Sequence, residues 1–107
     1  MCGILAITGK NTNKIENTTV SSMLSTLSKR GPDESSFERI GPTVLGQTRL
    51  AIVDLSGGHQ PMRDNKDNLT LVFNGEIYGY KETREALETR GHVFSTNSDT
   101  EVILKTY

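Results

Sequence analysis

Cys2 is the residue best suited to covalent chemistry, because it directly follows the initiator methionine. Methionine is normally trimmed before a small residue, which would leave Cys2 with a thiol and a free α-amino group. Reference pKa values are about 7.7–8.0 for an α-amine and about 8.5 for a thiol, so a neutral amine can accept the thiol proton near pH 7. This is the arrangement of an N-terminal nucleophile. Taken alone, one cysteine at position 2 is weak evidence and fits an accident better.

Asn74 and Gly75 offer hydrogen-bond donors of the kind that stabilise an oxyanion. Asn74 has a side-chain amide, and a glycine lets its backbone N–H approach a ligand closely at the end of a strand. Losing one such donor typically lowers a rate on the order of 10²–10³-fold. The competing interpretation is structural, because Asn-Gly is the strongest short hairpin signal.

Arg49 carries a planar guanidinium that can bind a carboxylate through two hydrogen bonds, although an isolated arginine more often ends a strand in solvent. His59 and His92 are the only histidines, and no metal-ligand spacing surrounds them. Gly57 and Gly58 lack the lysine and the spacing of a phosphate-binding loop. We therefore predict no metal and no nucleotide site in this segment.

The hydrophobic pattern predicts short strands that alternate with amphipathic helices. Gly3 to Thr8 is an apolar run of strand length, and apolar residues from Val20 to Leu27 recur at helical spacing until Gly31-Pro32 ends the helix. Ser98 and Glu101 have the spacing of a capping box before a terminal helix. Turns and helices both join the short strands, which favours a layered α+β fold. Further strands are predicted at 36–40, 43–47, 69–73 and 92–96, and a further helix at 81–90.

Composition narrows the class of protein. The 107 residues suffice for one small domain, and a net charge of −1 gives no reason to expect nucleic acid or an anionic membrane as a partner. No apolar run approaches the roughly 20 residues of a membrane-spanning helix, and no signal peptide is visible. A single cysteine excludes an internal disulfide. We expect a cytoplasmic protein.

Several short stretches, distributed from the first residue to the last, carry a family resemblance. They are Met1-Cys2-Gly3-Ile4, Arg30-Gly31-Pro32-Asp33, 49–54, Gln60-Pro61, 74–78 and Ser98-Asp99-Thr100-Glu101. In this order and spacing, the chain resembles the class II glutamine amidotransferases, which use an N-terminal nucleophile. The Arg-Gly-Pro-Asp and Asn-Gly-Glu-Ile-Tyr stretches look most like the glutaminase domain of asparagine synthetases. Lys29 and Gly79 depart from that branch, which usually has His and Asn there.

The resemblance implies roles for individual residues. Cys2 would attack the side-chain amide of L-glutamine and form a thioester, with Asn74 and Gly75 as the oxyanion hole. Arg49 would bind the substrate carboxylate, and Glu76 and Asp99 the substrate ammonium. Arg30 to Asp33 would shape the loop over the nucleophile. The residues assigned to substrate binding are Arg49, Leu50, Ala51, Ile52, Val53, Asn74, Gly75, Glu76 and Asp99.

The resemblance also implies that residues 1–107 are the N-terminal part of a longer domain. The family's glutaminase domain is a four-layer αββα sandwich of nearly twice this length, so we expect a truncated N-terminal-nucleophile-hydrolase fold. The ATP-using synthetase domain, which would bind ATP and Mg²⁺, is absent. This segment alone would then have a marginal fold and hydrolyse glutamine weakly.

The expected function is hydrolysis of glutamine to glutamate and ammonia, with the ammonia passed to a synthetase domain or subunit that makes asparagine. Alternatives are a non-catalytic remnant, a hydrolase of another amide, or an amidotransferase whose acceptor is a surface-polysaccharide sugar. The expected partners are glutamine and that synthetase, without nucleic acid or membrane. Homodimerisation stays open.

Overall fold

A computed structural model describes residues 1–107 and contains two antiparallel sheets flanked by helices. The larger sheet has the strand order β1-β3-β2, and β4 pairs with β5 in a separate hairpin. The predicted α+β class is confirmed. The elements are β1 (Gly3–Thr8), α1 (Asn17–Ser25), β2 (Glu34–Ile40), β3 (Thr43–Arg49), β4 (Met62–Asp64), β5 (Leu69–Leu71), α2 (Tyr80–Thr89) and α3 (Asp99–Thr106).

Helix α1 covers one face of the larger sheet. Val20 and Leu24 of the helix and Val44 of β3 are fully buried against one another. This face exists because apolar residues recur at helical spacing in α1 and at alternate positions in the strands. β1 pairs with β3 so that Gly3, the residue after Cys2, lies opposite Thr48. The sheet therefore fixes the start of the chain against the end of β3.

Helix α3 packs on the β4–β5 hairpin and on α2. Lys105 Nζ lies 2.6 Å from Asp64 Oδ2, which joins α3 to the end of β4. The hydrogen bond from Lys105 holds the pKa of Asp64 below its usual value, although burial opposes this effect. No helix of the structure combines the length and apolar character needed to span a membrane.

Helix α1 ends earlier than predicted, at Ser25 rather than at Gly31-Pro32. The hydroxyls of Ser25 and Thr26 donate to the carbonyls of Ser22 and Met23, and such bonds compete with helical hydrogen bonding. Tighter turns then lead to Arg30. At the other end, Glu16 occupies the N-cap position and no side chain caps the helix.

The strand predicted at 92–96 does not form. Glu101 accepts the backbone N–H groups of Ser95 and Thr96 at 2.8 and 2.7 Å, and Arg84 donates to the Thr96 carbonyl at 2.6 Å. Side chains therefore satisfy the backbone groups that a strand would pair. Of the predicted capping box, the Ser98 side chain does accept the Thr100 N–H, but Glu101 turns to this loop instead.

The strand predicted at 69–73 is shorter and only half-buried, ending at Leu71. The backbone N–H and carbonyl of Phe73 are hydrogen-bonded to glutamine side chains, not to a neighbouring strand. The polypeptide therefore leaves the hairpin just before Asn74.

Candidate active site

A cleft of about 450 Å³ opens between the end of β3, the segment after β5 and the start of α3. This volume lies within the range of small-molecule sites. It brings together every site residue predicted from the sequence except Ala51. The predicted residues on its wall are Cys2, Arg49, Leu50, Ile52, Val53, Asn74, Gly75, Glu76 and Asp99.

Cys2 lies just before β1 and is half-buried. Its Sγ accepts a hydrogen bond from Leu50 N–H at 3.3 Å, which directs the sulfur to the end of β3. Arg30 Nε donates to the Cys2 carbonyl at 3.1 Å. Met1 also lines the cleft, and while it is present the nitrogen of Cys2 is an amide without basic character. Removal of Met1 would expose an amine directly at the cleft.

The loop of Arg30 to Asp33 supports the residues that follow β3. Asp33 N–H donates to the Arg49 carbonyl at 3.0 Å, and Asp33 Oδ2 accepts the Ala51 N–H at 2.9 Å. A Cβ on Gly31 would overlap the Thr48 backbone, so only glycine permits this close approach. Ala51 thus touches the supporting loop and does not line the cleft.

Arg49 is 6% exposed and lies in the cleft wall. Its Nη2 donates to the carbonyls of Val53 and Asp54 at 3.1 and 2.6 Å, and its Nη1 lies 3.5 Å from Glu34 Oε2. A guanidinium has five N–H donors, so these contacts leave donors for a further carboxylate. Arg49 therefore holds the loop of residues 50–54 in place and also gives the cleft wall a positive charge.

The segment from Phe73 to Glu76 forms another part of the wall. Asn74 is half-buried, whereas Gly75 and Glu76 are exposed to the cleft. A Cβ on Gly75 would lie 2.8 Å from the Phe73 ring, so a larger residue would displace the ring or the backbone. Glycine is therefore the residue that fits here without such a displacement.

Asp99 is the first residue of α3 and is 6% exposed. Its Oδ2 accepts the Ile77 N–H at 3.0 Å, which ties α3 to the segment after Asn74-Gly75. Its position in the first turn also suits the helix dipole. The carboxylates of Asp99 and Glu76 make this part of the cleft acidic, while Arg49 supplies a positive charge. Such a distribution suits a zwitterionic ligand.

A family model described as "Glutamine amidotransferase domain" matches residues 1–107. The chain belongs to the glutamine amidotransferase domain family. The class II resemblance inferred from the motifs is thereby confirmed. Among similar proteins, glutamine-hydrolysing asparagine synthetase 3 of Bacillus subtilis (strain 168) is 43% identical over 110 residues, which cover 100% of this chain and 18% of the relative.

The glutamine-hydrolysing asparagine synthetase of Sandersonia aurantiaca is 39% identical over 108 residues, and a probable one of Dictyostelium discoideum is 40% identical over 110 residues. Each alignment covers 100% of this chain and 20% of the relative. This amidotransferase domain therefore spans no more than about a fifth of the length of these relatives.

Sequence reasoning missed two buried glutamines of the amidotransferase domain. Gln60 lines the cleft and Gln47 lies behind it on β3, and both side chains bond to the Phe73 backbone. Gln60-Pro61 is one of the stretches that carry the resemblance, but the resemblance assigned no role to Gln60, and no local pattern distinguishes Gln47.

The histidines do not take part in the cleft wall, and His59 Nδ1 lies 2.9 Å from Glu34 Oε2 at the surface. No group of three or more His, Cys, Asp or Glu side chains is placed to hold a metal ion.

Proposed function

We propose that residues 1–107 are the N-terminal part of the glutamine-hydrolysing domain of an asparagine-synthetase-like enzyme. The observation that carries the proposal is the convergence on one cleft of a cysteine thiol, potential oxyanion donors, a guanidinium and carboxylates. The names of the similar proteins, all glutamine-hydrolysing asparagine synthetases, favour asparagine over a polysaccharide sugar as the product of ammonia transfer.

The proposed reaction begins once Met1 has been removed. The free α-amine of Cys2 takes the thiol proton, directly or through a water, and the sulfur attacks the side-chain carbonyl of glutamine. The Asn74 amide and the Gly75 N–H stabilise the oxyanion that forms. The carbon–nitrogen bond then breaks, ammonia leaves with the proton from the amine, and water hydrolyses the thioester to glutamate.

Recognition of the substrate backbone uses the charges on the cleft wall. Arg49 binds the α-carboxylate with the donors that the loop carbonyls leave free. Glu76 and Asp99 bind the α-ammonium. Leu50, Ile52 and Val53 border the substrate, and Ala51 supports them through its hydrogen bond to Asp33.

The released ammonia would pass to a synthetase domain or subunit outside these residues. That part would bind ATP and Mg²⁺, since no phosphate loop occurs in residues 1–107. The remaining layers of an αββα N-terminal-nucleophile-hydrolase sandwich would also lie outside them. We propose a cytoplasmic location, and a homodimer as an assembly to be tested.

The test is the intact mass of the complete polypeptide with and without 6-diazo-5-oxo-norleucine, a glutamine-like alkylating agent. We expect loss of Met1 and one stoichiometric adduct on Cys2, which glutamine prevents from forming. A Cys2→Ala variant keeps a small residue after Met1 and serves as the control that gains no adduct. Retained Met1, or no adduct on the wild type, would contradict the proposal.

A further inference from the structure

Two buried glutamine side chains hold the peptide groups of the residue before Asn74. Gln60 Oε1 accepts the Phe73 N–H at 2.6 Å, and Gln47 Nε2 donates to the Phe73 carbonyl at 2.7 Å. Gln47 is 1% exposed and Gln60 7% exposed. Because the Phe73 carbonyl belongs to the peptide group whose N–H is that of Asn74, these contacts restrain the backbone that enters Asn74-Gly75.

Gln47 also belongs to the strand that positions the nucleophile. Thr48, the next residue of β3, lies opposite Gly3, which directly follows Cys2. The β4–β5 hairpin is not part of this sheet, so no strand pairing joins Asn74 to Cys2. The hydrogen bond from Gln47 to Phe73 is therefore a direct polar connection between the two sides of the cleft.

Gln60 connects the same backbone to the rest of the site. Its Nε2 donates to Thr100 Oγ1 at 3.1 Å, beside Asp99 at the start of α3. Its carbonyl accepts a hydrogen bond from Ser36 Oγ, and Ser36 lies opposite Gln47 in the larger sheet. The two glutamines and their partners thus link β2, β3, the Phe73 segment and α3.

The hydrogen bond to Phe73 accounts for the presence of a glutamine at position 47. The bond from Nε2 to the Phe73 carbonyl is the hydrogen bond that this side chain makes to the protein. An apolar side chain of similar volume would leave the Phe73 carbonyl without that donor.

We propose that Gln47 and Gln60 are positioning residues that set the oxyanion donors of Asn74 and Gly75 at the correct distance from the Cys2 sulfur. The inference rests on the glutamine-hydrolysing function proposed above. An oxyanion forms only in the transition state, so loosening its donors lowers kcat and leaves substrate binding nearly unchanged. A small misplacement of such groups reduces a rate by as much as about 10²-fold.

The test compares Gln47→Met with Thr106→Val in the complete, methionine-processed protein. Thr106→Val is the control, because it also removes a side-chain hydrogen bond to a backbone carbonyl, from Thr106 Oγ1 to the Val102 carbonyl at 2.7 Å, at the end of α3 and outside the cleft wall. We expect Gln47→Met to lower kcat for glutamate formation about 10–100-fold with KM changed less than about threefold. Thr106→Val should keep kcat within about threefold.

Alkylation of Cys2 by iodoacetamide separates positioning from general damage, since this displacement forms no oxyanion. Its rate should be the same in Gln47→Met and in the wild type. Equal losses of kcat in both variants, a raised KM with unchanged kcat, or slower alkylation of Gln47→Met would overturn the inference.

Amide hydrogen exchange provides a readout that does not need turnover. The Phe73 N–H, which donates to Gln60 Oε1, should exchange at least about tenfold faster in Gln47→Met and in Gln60→Leu, but not in Thr106→Val. Unchanged exchange would refute the restraint itself. A wild type that does not hydrolyse glutamine, together with accelerated exchange in both glutamine variants, would refute the proposed function and retain the restraint.

Discussion

Arg49 both lines the cleft and contacts the loop that follows β3. Its guanidinium holds the carbonyls of Val53 and Asp54 and faces Glu34 while lining the cleft. A lysine would retain the charge but lose the planar set of donors that serves several acceptors at once. The residue type, and not only its charge, is therefore needed at this position.

Arg49→Lys should raise KM for glutamine about 10–100-fold, because charge-assisted hydrogen bonds to the α-carboxylate contribute about 1.5–3 kcal/mol. Steady-state glutamate formation by the complete protein measures the effect. Arg63→Lys is the control, since Arg63 forms an exposed pair with Glu38, and it should leave KM unchanged. An unaltered KM in Arg49→Lys would remove the proposed carboxylate contact.

Carboxylates join several of the elements around the cleft. Glu101 of α3, 6% exposed, accepts the N–H groups of Ser95 and Thr96 and the Thr96 hydroxyl. Asp64 at the end of β4 accepts the ammonium of Lys105. These contacts fix α3, and with it Asp99, against the hairpin and the preceding loop.

Glu101→Gln should lower the free energy of unfolding by about 1.5–3 kcal/mol, because the amide places donors against the loop N–H groups. Urea unfolding of the complete protein checks this. Glu85→Gln, an exposed change on α2, should remain within about 0.5 kcal/mol of the wild type. Equal stability of the Glu101 variant would show that the loop relaxes without loss.

The Asp64–Lys105 pair should make stability depend on pH in the acid range. Because the folded-state pKa of Asp64 is lowered, its contribution is full above the unfolded pKa of about 4 and is lost as pH falls below it. The advantage of wild type over Asp64→Asn should therefore be constant near neutral pH and shrink below pH of about 4. Urea midpoints from pH 3 to 7 test this, with exposed Asp67→Asn as the control. Parallel curves for wild type and Asp64→Asn would contradict the prediction.

The whole molecule is extended for its length. Its radius of gyration is 14.6 Å, against about 13 Å for a compact domain of about 100 residues. Only 21 of 107 residues are buried. The apolar core between α1 and the larger sheet has three buried residues, Val20, Leu24 and Val44. A structure with so small an apolar core exposes little new apolar surface when it unfolds.

Residues 1–107 in isolation should therefore unfold in urea with a shallow slope, below about 1 kcal/mol per M, and hydrolyse glutamine weakly. A longer polypeptide that includes the following segment of the proposed domain should unfold more steeply. A cooperative transition of full-size slope from residues 1–107 alone would show that this segment is a self-sufficient domain.

The sequence by itself determined the family, most of the elements and nine of the residues that line the cleft. The order of the motifs was sufficient because the residues suited to chemistry lie beside local signals such as strand ends and a helix cap. These residues are Cys2, Arg49, Asn74 and Asp99. Gly41-Pro42, a turn signal, separates the strands predicted at 36–40 and 43–47, which pair as β2 and β3. These features depend on neighbours in the chain, which a sequence displays directly.

Only the tertiary structure decided which side chains take the hydrogen bonds of a backbone segment in place of a neighbouring strand. The region 92–96 has the composition of a strand, but Glu101 and Arg84 take its hydrogen bonds. Phe73 likewise leaves its predicted strand for Gln47 and Gln60, which lie 26 and 13 positions away. A buried polar group bonds to whichever partner the fold brings near, and sequence spacing contains no record of that proximity.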